Sequence, residues 1–115
     1  MNYQNIYGST KLDTFAEIIE GYEDIAQVYG VILGTQQGAV VLEPLFGVDH
    51  LRYIDRPLED IRGQYIADII EALTLWEPRA QVESVTLSQV DANLIAVVAF
   101  KLRDVDIMRT MTYSL

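Results

Sequence analysis

The chain has 115 residues, half of them hydrophobic and 22% charged, enough for one packed core and too few for two. Eight Lys and Arg stand singly among seventeen Asp and Glu, giving a net charge of −9. No basic patch is therefore available to replace counterions on nucleic-acid phosphates, and an anionic membrane would repel the chain. The absence of cysteine removes disulfides and Cys-ligated zinc, and Met1–Asn5 lack the basic start and apolar core of a signal peptide. The longest apolar run, Leu94 to Phe100, is far too short to cross a bilayer, so a soluble protein made inside the cell is expected.

Residues 1–12 are polar and rich in Tyr, Asn and Gly, and read as a loose arm or an early strand. Phe15-Ala16-Glu17-Ile18-Ile19 reads as a short strand ending at Gly21. Ile25, Val28/Tyr29 and Ile32/Leu33 recur at helical spacing, with Glu23 and Asp24 at the start and Gly34 as the cap. A single longer helix over 13–33, with Gly21 inside it, is the other possibility. Thr35 to Gly38 forms a turn, and Ala39-Val40-Val41-Leu42 is expected as a strand stopped by Glu43-Pro44. Leu45 to Asp49 is a loop before a helical turn from His50 to Ile54.

The strongest local signal follows. Pro57, Glu59 and Asp60 mark a helix start. Leu58, Ile61, Tyr65, Ile69, Ala72, Leu73 and Trp76 then make one apolar stripe, about five turns long. The helix must stop near Trp76, because the residue before Pro78 is pushed out of the helical region. From Arg79 the period changes. Val82, Val85 and Leu87 predict a strand with a bulge at Glu83-Ser84, and Asp91-Ala92-Asn93 a turn. Leu94 to Leu102, apolar on both sides, predicts a central strand covered on both faces. A third antiparallel strand is expected from Val105 to the end, with Val105, Ile107, Met111, Tyr113 and Leu115 on one face and Arg109 interrupting it. The fold class is α+β: a short N-terminal strand and helices packed on a C-terminal antiparallel sheet.

Chemistry finds no clear home along this chain. His50 is the single histidine, and no ligand spacing accompanies it, so neither a metal nor a cofactor is expected. No serine stands in a nucleophile elbow, and no Gly-Lys-Ser/Thr follows the glycines at 34 and 38. Paired acids such as Glu59 with Asp60, or Asp104 with Asp106, read as helix-start and turn charges rather than as a glycosidase pair. The tetrapeptide Trp76-Glu77-Pro78-Arg79 has two readings. Either Glu77 and Arg79 are solvated charges at a junction, where losing Arg79 would hardly disturb the fold, or Pro78 presents them as a fork for a partner.

Four strings in order carry a resemblance. They are Gly21-x-Glu23-Asp24-Ile25-x-Gln27, Ile32-Leu33-Gly34-Thr35-x-x-Gly38, Pro44-x-Phe46-Gly47, and Ala72-Leu73-x-x-Trp76-Glu77-Pro78-Arg79. Together they resemble the phage gene W and T-even baseplate wedge family of contractile tails, which includes the matching subunit of type VI secretion baseplates. Ala39 and Val48 depart from the family pattern, which leaves the contacts of the 38–50 loop open. The resemblance implies that the whole chain, 1–115, is one sheath-initiator-like domain in the tail baseplate of a virion. It implies that Glu77, Pro78 and Arg79 dock on the wedge core bundle, with other wedge proteins and the tail sheath subunit as partners and the tail tube as a further neighbour. The C-terminal strand, with Ile107, Arg109, Met111 and Tyr113, would template the sheath by strand addition. The family has also carried a lysozyme label, so a peptidoglycan hydrolase is the competing expectation.

Overall fold

The computed structural model describes residues 8–115, with side chains from residue 15 onward. Two helices precede a three-stranded sheet, an α+β arrangement: α1 is Gly8–Leu33, α2 is Leu58–Trp76, and the strands are β1 (Ala80–Val90), β2 (Asn93–Leu102) and β3 (Arg109–Ser114). The expected arm lies outside the described residues up to residue 7, and residues 8–12 already belong to α1.

The strand expected at 15–19 is instead part of α1. Ile18, Tyr22, Ile25/Ala26, Tyr29 and Ile32/Leu33 continue one helical stripe without interruption, and most of it is buried. Gly21 does not break the helix. A Cβ there would sit 3.4 Å from the Leu102 side chain, so a small residue lets α1 lie close on the sheet at a modest cost in helix propensity. Residues 39–42 are also not a strand. A β-rich segment needs a partner edge, and none of the three strands pairs with it. The segment folds instead into a closed loop, with the Gly38 amide donating to the Pro44 carbonyl at 2.8 Å and the Glu43 amide to the Val40 carbonyl at 3.2 Å.

The remaining elements follow their periods. A 3-10 turn forms at His50–Tyr53, and α2 buries Ile61, Tyr65, Ile69, Ala72 and Leu73. The sheet order is β1-β2-β3, all antiparallel. Its register shifts between Val82 and Ser84, so Glu83 is the bulged residue, and this keeps Val82, Val85 and Leu87 on the helix side. Asp91, at φ +56°, turns the chain between β1 and β2. Helix-facing Ala96, Val98 and Phe100 of β2 are fully buried, and Phe100 takes the Tyr29 ring edge-on at 4.9 Å between centroids.

Two strand expectations change. β2 is covered on one face only: Ile95, Val97 and Ala99 point away from the helices and stay half-exposed. They are flanked in register by Ser88, Thr86 and Ser84 of β1 and by Ser114, Thr112 and Thr110 of β3. β3 begins only at Arg109, because Asp104, at φ +70°, turns the chain after β2 and residues 105–108 run without ladder partners.

Gly47 fixes the return of the 38–47 loop. Its φ is +100°, and a Cβ would fall on the Thr35 carbonyl. Gly47→Ala should therefore cost about 2 kcal/mol or more, from a strained left-handed residue plus a displaced carbonyl. Gly63, in α2 with open space around it, supplies the control: Gly63→Ala should stabilise by roughly 0.5–1 kcal/mol. Denaturant unfolding of both variants checks the pair.

Candidate functional site

The corner between α2 and β1 is built by one proline. Pro78 forces Glu77 out of helical geometry, to φ −137° and ψ 79°, while the Glu77 amide still closes the last turn on the Leu73 carbonyl at 3.0 Å. The turn carries the Glu77 side chain inward. Its residue is 5% exposed, the one buried charged side chain among the described residues. Arg79, two residues on, stays half in solvent and folds back over it. Its Nε donates to Glu77 Oε1 at 2.8 Å, and its Nη2 donates to the same oxygen. That bond to Glu77 raises the Arg79 pKa further above its ordinary value, and the Asp24 carboxylate on α1 adds to the effect.

Arg103, just beyond β2, braces the corner from the other side. Its amide donates to the Arg79 carbonyl at 3.2 Å and its Nε to the Pro78 carbonyl at 2.8 Å. Trp76 packs its ring edge-on to Phe46 at 5.2 Å, which ties the corner to the 38–47 loop. Beneath it, the buried Tyr29 hydroxyl has no hydrogen-bond partner among the described residues. Burial pushes the Tyr29 phenol well above its usual range, and the nearby Glu77 charge pushes the same way.

The β3 residues singled out in the sequence turn toward α1 rather than outward. Arg109 pairs with Glu23, and its Nη2 approaches the Met111 sulfur at 3.5 Å. The Tyr113 hydroxyl donates to the Ala26 carbonyl at 2.7 Å, and the Tyr22 hydroxyl donates to the Ile107 carbonyl. Ile107 itself is exposed and precedes the strand; with Met108 and Phe15 it lines a shallow apolar groove of about 270 Å³. What β3 offers outward is its backbone. The Leu115 amide bonds the Leu94 carbonyl directly opposite, so in an antiparallel ladder Met111 and Tyr113 also point their amides at β2. The amides of Thr110, Thr112 and Ser114 therefore face the open edge. Register brings the corner and the start of β3 to the same end of the sheet, since Ala80 lies opposite Leu102 and Arg109 opposite Phe100.

His50 is a structural bridge. Its Nε2 donates to the Leu33 carbonyl at 2.7 Å, which leaves Nδ1 to accept from the Tyr65 hydroxyl. Burial lowers its pKa, with the Leu33 carbonyl and the Asp49 carboxylate opposing that shift. A cleft of about 580 Å³ runs beside it between the 3-10 turn and the β1–β2 hairpin, and among the described residues Asp55 is the one acidic side chain in its wall. Among the described residues no three His, Asp or Glu side chains cluster as a metal site, and no helix is long and apolar enough to cross a membrane. Sequence reasoning missed Arg103, the Phe46–Trp76 contact and the burial of Glu77. The only available signal was the Pro-Arg step after Trp76.

Comparison with known proteins fits this architecture. Residues 20–106 match the family model described as baseplate wedge protein gp25. A crystal structure of a Geobacter sulfurreducens protein, provisionally described as a tail lysozyme, superposes with a TM-score of 0.74 at 30% identity, covering 83% of this chain and 89% of that one. No curated protein matches the chain. The chain belongs to the baseplate wedge protein gp25 family, a structural family of contractile-tail baseplates.

The sequence reading of Arg79 as a dispensable surface charge changes here, since its guanidinium is the partner of a buried carboxylate. Arg79→Ala should cost about 1–2 kcal/mol, less than a fully buried pair because half of the guanidinium is already solvated. Urea unfolding of the purified variant measures it.

Proposed function

We propose that this chain is a structural component of a virion tail baseplate that docks on the wedge core bundle through Glu77-Pro78-Arg79 and templates the tail sheath along β3. The observation that carries the docking half is the geometry of the fork. Glu77 is buried and holds Arg79 from below, Pro78 and Arg103 fix the backbone, and the free side of the guanidinium faces solvent. A pre-positioned guanidinium with spare donors suits a carboxylate or a row of helix-end carbonyls on a wedge protein, and little side-chain entropy is left to lose on binding.

The sheath half rests on the β3 edge. An unpaired edge accepts a neighbour's extended arm as a further strand, with backbone bonds giving affinity. Ile107, Arg109, Met111 and Tyr113 serve this step indirectly: the latter three seat the strand on α1, and the added arm meets the outward amides of Thr110, Thr112 and Ser114. Other wedge proteins and the sheath subunit are thus the proposed partners, with the tube as a further neighbour.

The hydrolase reading has less support. A glycosidase needs two carboxyl groups flanking the scissile bond, and among the described residues the cleft beside His50 offers a single acidic side chain. Purified protein should release no reducing ends from peptidoglycan between mildly acidic and neutral pH; activity abolished by one carboxylate substitution would reverse the assignment.

Assembly tests the two contacts separately. Arg79→Ala with Glu77→Ala should weaken incorporation into wedges by tenfold or more, because a truncated charge pair at an interface typically costs about 2–5 kcal/mol. Thr110→Pro removes an outward amide, so baseplates carrying it should retain this protein but initiate few sheathed tails. Normal wedge incorporation in the first case, or normal sheath counts by electron microscopy in the second, would exclude the corresponding contact.

A further inference from the structure

The 38–47 loop carries an exposure pattern that the corner and the β3 edge do not explain. Val41 and Leu42 are each 90% exposed and Leu45 is 68% exposed. Single exposed aliphatics are ordinary on a soluble protein, but three within five positions at the tip of one loop form a contiguous apolar projection. The loop is also held in shape. The Gly38 amide closes it on the Pro44 carbonyl, and Gln37 Nε2 reaches the Leu45 carbonyl at 3.3 Å. Its base is fixed by the Val48 amide on the Thr35 carbonyl at 3.0 Å and by Gln36 Nε2 on Asp49 Oδ1 at 2.8 Å. A tip fixed in this way presents its aliphatic side chains at low ordering cost.

We propose that Val41, Leu42 and Leu45 form a rigid finger that inserts into an apolar, basic-rimmed groove of a neighbouring wedge protein, extending the docking surface of the Glu77–Arg79 corner. Phe46, at the finger's base, packs against Trp76, the residue that begins the corner, so the base of the finger adjoins the start of the fork. Charge selects the rim. From Gly34 to Asp49 the only charged side chains are Glu43 and Asp49, both acidic, on a chain of net charge −9. A second copy of this chain or an anionic lipid surface would be repelled, whereas Lys or Arg around an apolar groove would be attracted. The inference relies on the wedge-docking reading only for the partner's identity.

The test places a benzophenone amino acid at Leu42 in the full chain, co-expressed with the wedge proteins of its own baseplate, and maps the photo-cross-linked peptide by mass spectrometry. The expected product is an apolar segment of another wedge protein with Lys or Arg beside it. Cross-links only to a second copy or to lipid, or none from assembled baseplates, would overturn the proposal. In parallel, Val41→Ser with Leu42→Ser should leave thermal unfolding unchanged, since both side chains are already in water, while wedge co-purification falls at least about tenfold. Normal co-purification of that variant overturns the finger even where Arg79→Ala is defective. A defective finger variant beside a normally assembling Arg79→Ala leaves the finger standing and removes the corner.

Discussion

A carboxylate held out of water dictates much of this structure. Glu77 is buried at the junction of α2, β1 and α1, and a buried charge is tolerated only when it is closely paired. Arg79 meets that requirement from the solvent side, and this fixes the backbone direction in which β1 must leave the corner. Arg103 then clamps the Pro78 and Arg79 carbonyls and so positions the end of β2. Tyr29 lies below, its hydroxyl unpaired among the described residues and its ring against Phe100. A local demand for charge neutralisation thereby ties the end of α2, the start of β1 and the end of β2 together at one corner of the apolar core.

Periodicity made some elements readable and long-range packing hid the others. α2 and the bulge at Glu83 were visible because their apolar residues keep, or abruptly change, a local period. The first strand was misread at Gly21 because the close approach of Leu102, eighty-one positions on, is what makes glycine useful there. Val40-Val41-Leu42 has strand-forming residues but no strand to pair with, and pairing is a property of the whole sheet. The expected cover on both faces of β2 failed for a similar reason: an apolar sequence does not reveal whether a second layer exists. The Glu-Pro-Arg string was legible as a motif. That its acid is buried and its arginine half-exposed was not, since both depend on Tyr29 and Arg103, distant in sequence.

The outward face of the sheet adds to this division of labour. Its centre is aliphatic, with Ile95, Val97 and Ala99 in a row, and its margins are hydroxyl-bearing Ser and Thr. Such a face is wettable at its borders and apolar along its midline, as in antiparallel sheets that pack on one side only. The core therefore lies between the helices and one face of the sheet, and the outward residues Ile95, Val97 and Ala99 contribute none of it.

The bonds joining α1 to β3 and to the segment just before it set an order of events. The meander β1-β2-β3 closes through neighbouring segments, whereas Tyr22 with Ile107 and Ala26 with Tyr113 span 85 and 87 positions. Contacts that span so much chain carry the greater loop-closure cost, so the hairpin can organise before α1 is sealed onto it. The same seam is the natural place for sub-global opening, since releasing α1 from β3 breaks few bonds and leaves the hairpin intact. Amide exchange would then be fastest in the first half of α1 and slowest in β2, a gradient running from the helix that closes the molecule to the strand at its centre.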